Sequence, residues 1–193
     1  GSGNEEKNEL TLELAGEYLT EDGGVVALDL AGAEALFPTK NYEDIFKRAA
    51  KLGIPFTIHA GEADGADSVR CAIEYGASRI GHGVRAAEDE EVVELLADRK
   101  IPLEMCPTSN RMTQAVSDMS GYPLLRFLKA GIPVTINTDD MGIQDITLSD
   151  EYEYMEKLLG LDEDQELSIL KNAARAAFTS DACRSKLIQE IMV

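Results

Sequence analysis

Five short apolar runs divide the chain into units that are each long enough for one strand and one helix. They begin at residues 25, 54, 79, 101 and 132, so the intervals between them are 22 to 31 residues long. Two parallel strands need a crossover connection of about a dozen residues or more, and this connection is usually a helix. The spacing therefore predicts an α/β fold in which about five parallel strands alternate with covering helices.

Three of these runs share a junction that is typical of a helix followed by a strand. The sequence Leu-Gly-Ile-Pro-Phe-Thr-Ile begins at residue 52, Ala-Gly-Ile-Pro-Val-Thr-Ile at residue 130 and Lys-Ile-Pro-Leu-Glu-Met at residue 100. We expect Gly53 and Gly131 to end their helices in the left-handed conformation. The proline in all three opens a strand at a position where no ladder donor is needed.

Helical periodicity fills the intervals between the runs and the end of the chain. The segment from residue 5 to about residue 19 places Leu10, Leu14 and Tyr18 on one face, as expected of a surface helix that covers a sheet. Further helices are predicted at about 42–52, 66–75, 88–99, 121–129, 148–159, 164–177 and 181–191. Asp181 is the candidate N-cap of the last helix.

The length of the chain fits one domain, but the number of strand-helix units is too small for a closed barrel. The 193 residues can bury a single core. Five units fall short of the eight that a closed (β/α)8 barrel requires. The opening Gly1-Ser-Gly3 is typical of a cloning scar, and a predicted helix follows it. We therefore expect residues 1–193 to form a single partial-barrel domain, from which the N-terminal part of the barrel is missing.

The charge of the chain argues against polyanionic partners. The formal net charge is -18 and the pI is about 4.4. Phosphate backbones and anionic membrane surfaces are bound through clusters of Lys and Arg, which this sequence lacks. Neither nucleic acid nor a membrane is an expected partner. No apolar stretch approaches the roughly 18 residues of a membrane span.

The cysteines indicate a reducing compartment. Cys71, Cys106 and Cys183 are odd in number and widely spaced, and no Cys-x-x-Cys pair occurs. This pattern argues against a disulfide framework and against a thiolate zinc site. The expected location is cytoplasmic.

Polar clusters follow the apolar runs, where a parallel barrel places its chemistry. In His59-Ala-Gly-Glu62 a histidine at the end of a strand can offer a nitrogen to a metal, and Glu62 can reach the same pocket as an acid or base. The alternative is a histidine bonded to a backbone carbonyl and a glutamate that opens the next helix.

Asp139 and Asp140 place two carboxylates at the end of the fifth run. Adjacent side chains on an extended backbone point in opposite directions, so one can face a metal while the other faces a substrate. The alternative is a helix N-cap beside a solvated acid.

Three further clusters are weaker signals when each is taken alone. His82 stands between two glycines, which permit unusual backbone angles and the close approach of a ligand. Gly32 can expose a backbone N–H to a ligand, and the segment 106–110 supplies small hydroxyl and amide donors. Five polar clusters, each at the carboxyl end of one of five consecutive strands, together indicate one side of an active site.

Taken in order, the motifs DLAG, HAGE, RIGHG, LEMCPTSN and INTDD resemble those of the adenosine deaminase family of metal-dependent amidohydrolases. The resemblance covers nearly the whole chain. Members of this family are (β/α)8 barrels that hold one zinc ion, and the present chain resembles strands four to eight with their helices. The cytidine-type deaminases use a different signature, with His-x-Glu and Pro-Cys-x-x-Cys, which is absent here.

The resemblance implies roles on the metal side of the site. His59 resembles the zinc ligand of strand five and Asp139 the zinc ligand of strand eight. His82 resembles the residue that orients and electrostatically supports the metal-bound hydroxide. The family's His-x-His pair, which supplies two more ligands, has no counterpart among the two histidines of this chain. We therefore expect half a metal site, with weak or absent zinc.

The resemblance also implies roles on the purine side. Glu62 resembles the acid that protonates N1 of the ring, Asp140 the group that binds N7, and Gly32 the backbone donor to N3. The implied reaction is zinc-dependent hydrolysis of adenosine to inosine. The alternatives are an adenine or other purine-type deaminase, a different barrel metallohydrolase, or a non-catalytic half-barrel. The expected partners are a purine nucleoside and either a second copy, through exposed barrel edges, or the missing N-terminal half.

Overall fold

A computed structural model describes residues 4–192, so Gly1-Ser-Gly3 lies outside the described residues. Five parallel strands form one sheet, and their order in space is their order in the chain. The strands are β1 (Leu28–Leu30), β2 (Phe56–Ala60), β3 (Arg79–His82), β4 (Leu103–Met105) and β5 (Val134–Ile136). This is the succession of a partial (β/α)8 barrel, and the predicted fold class is confirmed.

The expected junctions between helices and strands are present. Pro55, Pro102 and Pro133 each stand directly before a strand, where their carbonyl oxygens accept hydrogen bonds from the N–H groups of Leu28, Ile80 and Leu103. Gly53 and Gly131 have φ angles of 70° and 81°, as predicted for helix ends. At the third junction Lys100 adopts the same left-handed conformation, with a φ of 54°.

Ten α-helices occur between residues 4 and 192. They are α1 (Glu5–Glu17), α2 (Glu43–Lys51), α3 (Ala66–Tyr75), α4 (Glu90–Arg99), α5 (Pro107–Met112), α6 (Leu124–Ala130), α7 (Met141–Gln144), α8 (Leu148–Leu159), α9 (Glu163–Ala176) and α10 (Asp181–Ile191). The predicted segments match α2, α3, α4, α6, α8, α9 and α10 closely. None of the described helices combines the length and the apolar character needed to cross a membrane.

The core lies between the sheet and its covering helices. Apolar and polar side chains alternate along the strands, as in Leu-Asp-Leu of β1, Leu-Glu-Met of β4 and Val-Thr-Ile of β5, so the apolar side chains of the sheet share one face. The ring centroids of Phe46 on α2 and Phe56 on β2 are 4.7 Å apart. The amide of Asn172 on α9 donates to the carbonyl oxygen of Val134 on β5 at 3.2 Å. These contacts hold helices to one side of the sheet and leave the carboxyl ends of the strands free for a site.

The predicted buried face of α1 is wrong. Leu10, Leu14 and Tyr18 are 53%, 44% and 57% exposed, whereas Leu12 and Ala15 are buried. The helix carries apolar residues on two faces, and packing against the rest of the fold decides which face is buried. The face with Leu12 and Ala15 is buried and α1 contacts α2, so the face with Leu10, Leu14 and Tyr18 is exposed in the described part of the chain.

Smaller differences concern the ends of elements. The first strand begins at Leu28, because Val25 forms only an isolated bridge with Leu19. Asp181 does not cap α10; the hydroxyl of Ser180 accepts the bond from the N–H of Cys183. The two short helices α5 and α7 were not predicted.

Candidate active site

The carboxyl ends of neighbouring strands bring the two histidines together. His59 lies on β2 and His82 on β3, and their ring centroids are 5.0 Å apart in an edge-to-face arrangement. Glu62 follows β2 and Asp139 follows β5. The charge of Asp139 acts on both imidazoles. The structure thus brings together four residues that the sequence singled out from three separate runs.

His59 is oriented by a carboxylate rather than by a backbone carbonyl. Its Nδ1 lies 3.3 Å from Oδ1 of Asp29, which lies in the middle of the neighbouring strand β1. Burial lowers the pKa of His59, but the hydrogen bond to Asp29 and its charge outweigh burial and raise that pKa. A carboxylate on Nδ1 fixes the ring and leaves the Nε2 lone pair for a metal.

The loop that carries Glu62 is held by a second carboxylate, that of Glu34, which is buried. Its oxygens accept bonds of 2.6 to 3.1 Å from the hydroxyl of Ser68 and the backbone N–H groups of Gly61, Glu62, Ala63 and Asp64. Burial raises the pKa of Glu34, yet these hydrogen bonds outweigh burial and lower that pKa overall. Glu62 is therefore fixed in the loop before α3 and does not open that helix.

The carboxylate of Glu62 faces the site with both oxygens. The hydroxyl of Thr113 donates to Oε1 at 3.1 Å, and Nε2 of His82 lies 3.6 Å from Oε2. A carboxyl group so placed can give or take a proton inside the pocket.

His82 is buried and has an unusual backbone conformation. Its φ is 61°, and Gly83 follows with a φ of 67°. A left-handed conformation at a residue other than glycine is strained and is often found at functional sites. Burial lowers the pKa of His82 more than the nearby charge of Glu62 raises it, so burial favours the neutral form of the imidazole.

Asp139 also departs from the expected extended backbone, because its φ is 58°. The prediction that Asp139 and Asp140 diverge from an extended segment is therefore wrong. The hydroxyl of Ser109 donates to Oδ2 of Asp139 at 2.7 Å. Asp140 takes the N-cap position of α7, but its side chain makes no capping bond, so its carboxylate is not used by the helix.

Gly32 lines a cavity of about 380 Å³ that also includes His59 and Asp29. Its φ of 121° is a conformation that side chains rarely adopt, although a Cβ there would meet no atom within 4 Å. The backbone angle, and not the lack of space, therefore requires glycine at this position.

The donor atoms of His82, Cys106 and Asp139 lie within 4.8 Å of one another in the described part of the chain. Burial strongly raises the pKa of the Cys106 thiol, and a protonated thiol is a poor metal ligand. Nδ1 of His82 is already bonded to Asn110. His59 and Asp139 therefore fit a metal better, as one imidazole and one carboxylate, which is fewer than the three protein ligands of a catalytic zinc site.

The sequence analysis did not predict which residues orient these groups. Asp29 stands in the motif DLAG, and Ser109 and Asn110 in the segment 106–110 that was expected to supply donors, but none of them was given the role of orienting another side chain, and Glu34 was not considered at all. Their position at the carboxyl ends of strands is the one signal that could have found them.

Comparison with known proteins gives the family. The family model described as Adenosine deaminase matches residues 3–193. The adenosine deaminase of Haemophilus ducreyi is 44% identical over 97% of this chain and 55% of its own length. The chain thus spans about half the length of the curated relatives that it matches.

Solved structures agree in fold. The adenine deaminase of Arthrobacter aurescens has a TM-score of 0.85 at 30% identity, over 96% of this chain and 57% of its own. The N6-methyl-AMP deaminase of Arabidopsis thaliana has a TM-score of 0.86 at 27% identity, over 97% and 54% of the two chains. The chain belongs to the adenosine deaminase family.

Proposed function

We propose that this chain supplies part of the active site for the hydrolytic, zinc-dependent deamination of adenosine to inosine. The observation that carries the proposal is the convergence of His59, Glu62, His82 and Asp139 at the carboxyl ends of β2, β3 and β5, in a member of this family. The substrate is a purine nucleoside. One zinc ion per complete barrel is the cofactor.

His59 and Asp139 would hold the zinc ion, His59 through Nε2, because Asp29 occupies its Nδ1. Bound zinc lowers the pKa of a water ligand to about 7 and so provides hydroxide at neutral pH. His82 orients and electrostatically supports the attacking oxygen. Ser109 holds the carboxylate of Asp139 in place through its hydroxyl.

Three residues would bind and orient the purine. Glu62 holds a proton for N1 of the ring, which drains charge from the carbon under attack. Asp140 faces N7, since its carboxylate is not used to cap α7. Gly32 offers its backbone N–H to N3 from the wall of the cavity that it shares with His59.

Adenine is the second candidate substrate. The similarity to the adenine deaminase of Arthrobacter aurescens favours it, because that structure matches this chain over nearly its whole length. Adenosine carries a ribose and adenine does not, so the residues that contact the ribose would determine which of the two is preferred. We place the protein in the cytoplasm, as the free cysteines suggest.

Turnover of adenosine and of adenine, followed by ultraviolet absorbance, tests the proposal on a full-length protein that contains this sequence. We expect adenosine to be the better substrate by kcat/KM. The chain of 193 residues alone should bind zinc weakly after dialysis and turn over neither purine. Lack of activity towards both purines in a zinc-loaded full-length protein would overturn the proposal.

A further inference from the structure

Three buried side chains form a continuous hydrogen-bonded chain that ends at His82. The amide nitrogen of Asn110 lies 3.0 Å from Nδ1 of His82, and the hydroxyl of Tyr122 donates to Oδ1 of Asn110 at 2.9 Å. His82, Asn110 and Tyr122 are 2%, 0% and 3% exposed. Bulk water therefore cannot replace any partner in this chain of side chains.

The phenol of Tyr122 sets the orientation of the amide. Burial raises the pKa of Tyr122 well above its ordinary value, so its oxygen carries a proton at neutral pH. Oδ1 of Asn110 accepts this proton, and within residues 4–192 no second acceptor for the hydroxyl occurs among the hydrogen bonds. If the amide were turned over, the hydroxyl would become a buried donor without an acceptor, an arrangement that proteins avoid.

The amide in turn sets the proton on the imidazole. With Oδ1 directed at Tyr122, the NH₂ group of Asn110 faces His82, and an NH₂ group can only donate. Nδ1 of His82 must accept, so it carries no proton. A neutral imidazole has one N–H, which must then be on Nε2.

We propose that Tyr122 and Asn110 are positioning residues that hold His82 as the neutral tautomer protonated on Nε2. His82 then faces the site as a hydrogen-bond donor and not as a proton acceptor. Its Nε2 lies 3.6 Å from the carboxylate of Glu62, on the side of the pocket where the four converging residues meet.

The two histidines of the chain are thereby held in opposite tautomers. Nδ1 of His59 faces the carboxylate of Asp29, which only accepts, so the proton of a neutral His59 is on Nδ1 and its Nε2 is free. The assignment of the His82 tautomer holds whatever reaction the protein catalyses. The further statement, that the N–H of His82 donates a hydrogen bond to the attacking oxygen, rests on the proposed function.

Nitrogen NMR of the imidazoles tests the assignment on this chain. Only two histidines occur in the sequence, so a His59→Asn variant identifies the signals of His82. At a pH at which both rings are neutral, we expect a pyridine-type Nδ1 and a pyrrole-type Nε2 for His82, and the reverse for His59. A pyrrole-type Nδ1 in His82 of the native chain would overturn the proposal.

Two variants test the role of the positioning residues. Asn110→Asp places an acceptor-only group beside Nδ1, so the two nitrogen signals of His82 should exchange their character. Tyr122→Phe frees the amide to turn and should give an intermediate spectrum. Tyr75→Phe, at a buried tyrosine of α3 outside the site, should leave His82 unchanged.

A His82 spectrum that is the same in Asn110→Asp as in the native chain would exclude the positioning role. If Asn110→Asp does not fold, the native chain and Tyr122→Phe still decide the question. These measurements need no turnover, so a failure of the proposed deaminase activity and a failure of the tautomer assignment are separate results.

Discussion

The carboxyl group of Glu62 tests the proposed acid chemistry at the level of one residue. In Glu62→Gln the amide keeps the shape and can still accept from Thr113, but it cannot supply a proton to the purine. We expect kcat of a full-length protein to fall by about 10²- to 10⁴-fold while zinc stays bound. Steady-state kinetics and atomic emission on the same preparation give both numbers.

Glu91→Gln is the control for this change, because Glu91 is an exposed acid on α4. Its kcat should match that of the native protein. Near-normal turnover by a zinc-replete Glu62→Gln protein would show that another group supplies the proton.

Asp139 and Asp140 offer a matched pair for the metal. Asn tolerates the left-handed backbone at position 139 better than Ala, so Asp139→Asn removes charge with little added strain. We expect zinc content measured by atomic emission to fall in Asp139→Asn and to stay unchanged in Asp140→Asn. Equal zinc in the two variants would contradict the assignment of Asp139 as a ligand.

Most of the residues that line this site could be predicted from the sequence, but the side chains that hold them in place could not. His59 lies near the end of an apolar run, and Glu62 and Asp139 follow such runs, which the spacing predicts to be parallel strands, so their convergence follows from topology. Glu34 gives no such signal, because a buried carboxylate differs from a solvated one only in the N–H groups around it. Those groups belong to a loop whose conformation no short pattern predicts.

At the level of elements, the loop between β2 and α3 depends on the carboxylate of Glu34. A Glu34→Gln side chain has one oxygen acceptor and an NH₂ group that would face backbone N–H donors. We expect the free energy of unfolding in urea at pH 7 to fall by roughly 1.5 to 3 kcal/mol. Amide hydrogen exchange in residues 61–64 should accelerate in the same variant.

The pH dependence of this effect has a definite sign. The pKa of Glu34 is lowered in the folded chain, so its contribution is complete above the unfolded pKa of about 4.3. That contribution is lost as the pH falls through the lower folded value. The stability difference between native and Glu34→Gln chains should therefore shrink in acid, whereas Glu94→Gln, at an exposed site on α4, should match the native chain throughout.

Element boundaries were predictable where backbone chemistry sets them. Proline before a strand and glycine after a helix restrict the backbone by themselves, so Pro55, Pro133, Gly53 and Gly131 marked their junctions correctly. The helix α5 was missed because its six residues begin with proline and are largely polar, which leaves no apolar period to detect. Packing, and not periodicity, chose the buried stripe of α1.

At the level of the whole molecule, the sheet is open. Within residues 4–192, β1 pairs only with β2 and β5 only with β4, so each terminal strand presents one unpaired edge. The exposed side chains of Leu10, Leu14 and Tyr18 add an apolar surface on α1. Unpaired edges can bind other strands, either from a second copy or from a segment such as the one that the relatives have beyond the matched region.

We therefore predict that the isolated chain associates with itself through these edges, as a two-fold dimer or a larger open assembly. Light scattering after size exclusion at micromolar concentration should give a mass well above 21.0 kDa. The net charge of -18 opposes association, so raising the salt concentration should increase the mass as repulsion is screened. Leu14→Glu alters the surface of α1 and not the edges, so it should leave the mass unchanged. A monomer that unfolds cooperatively at both salt concentrations would mean that the terminal strands need no partner.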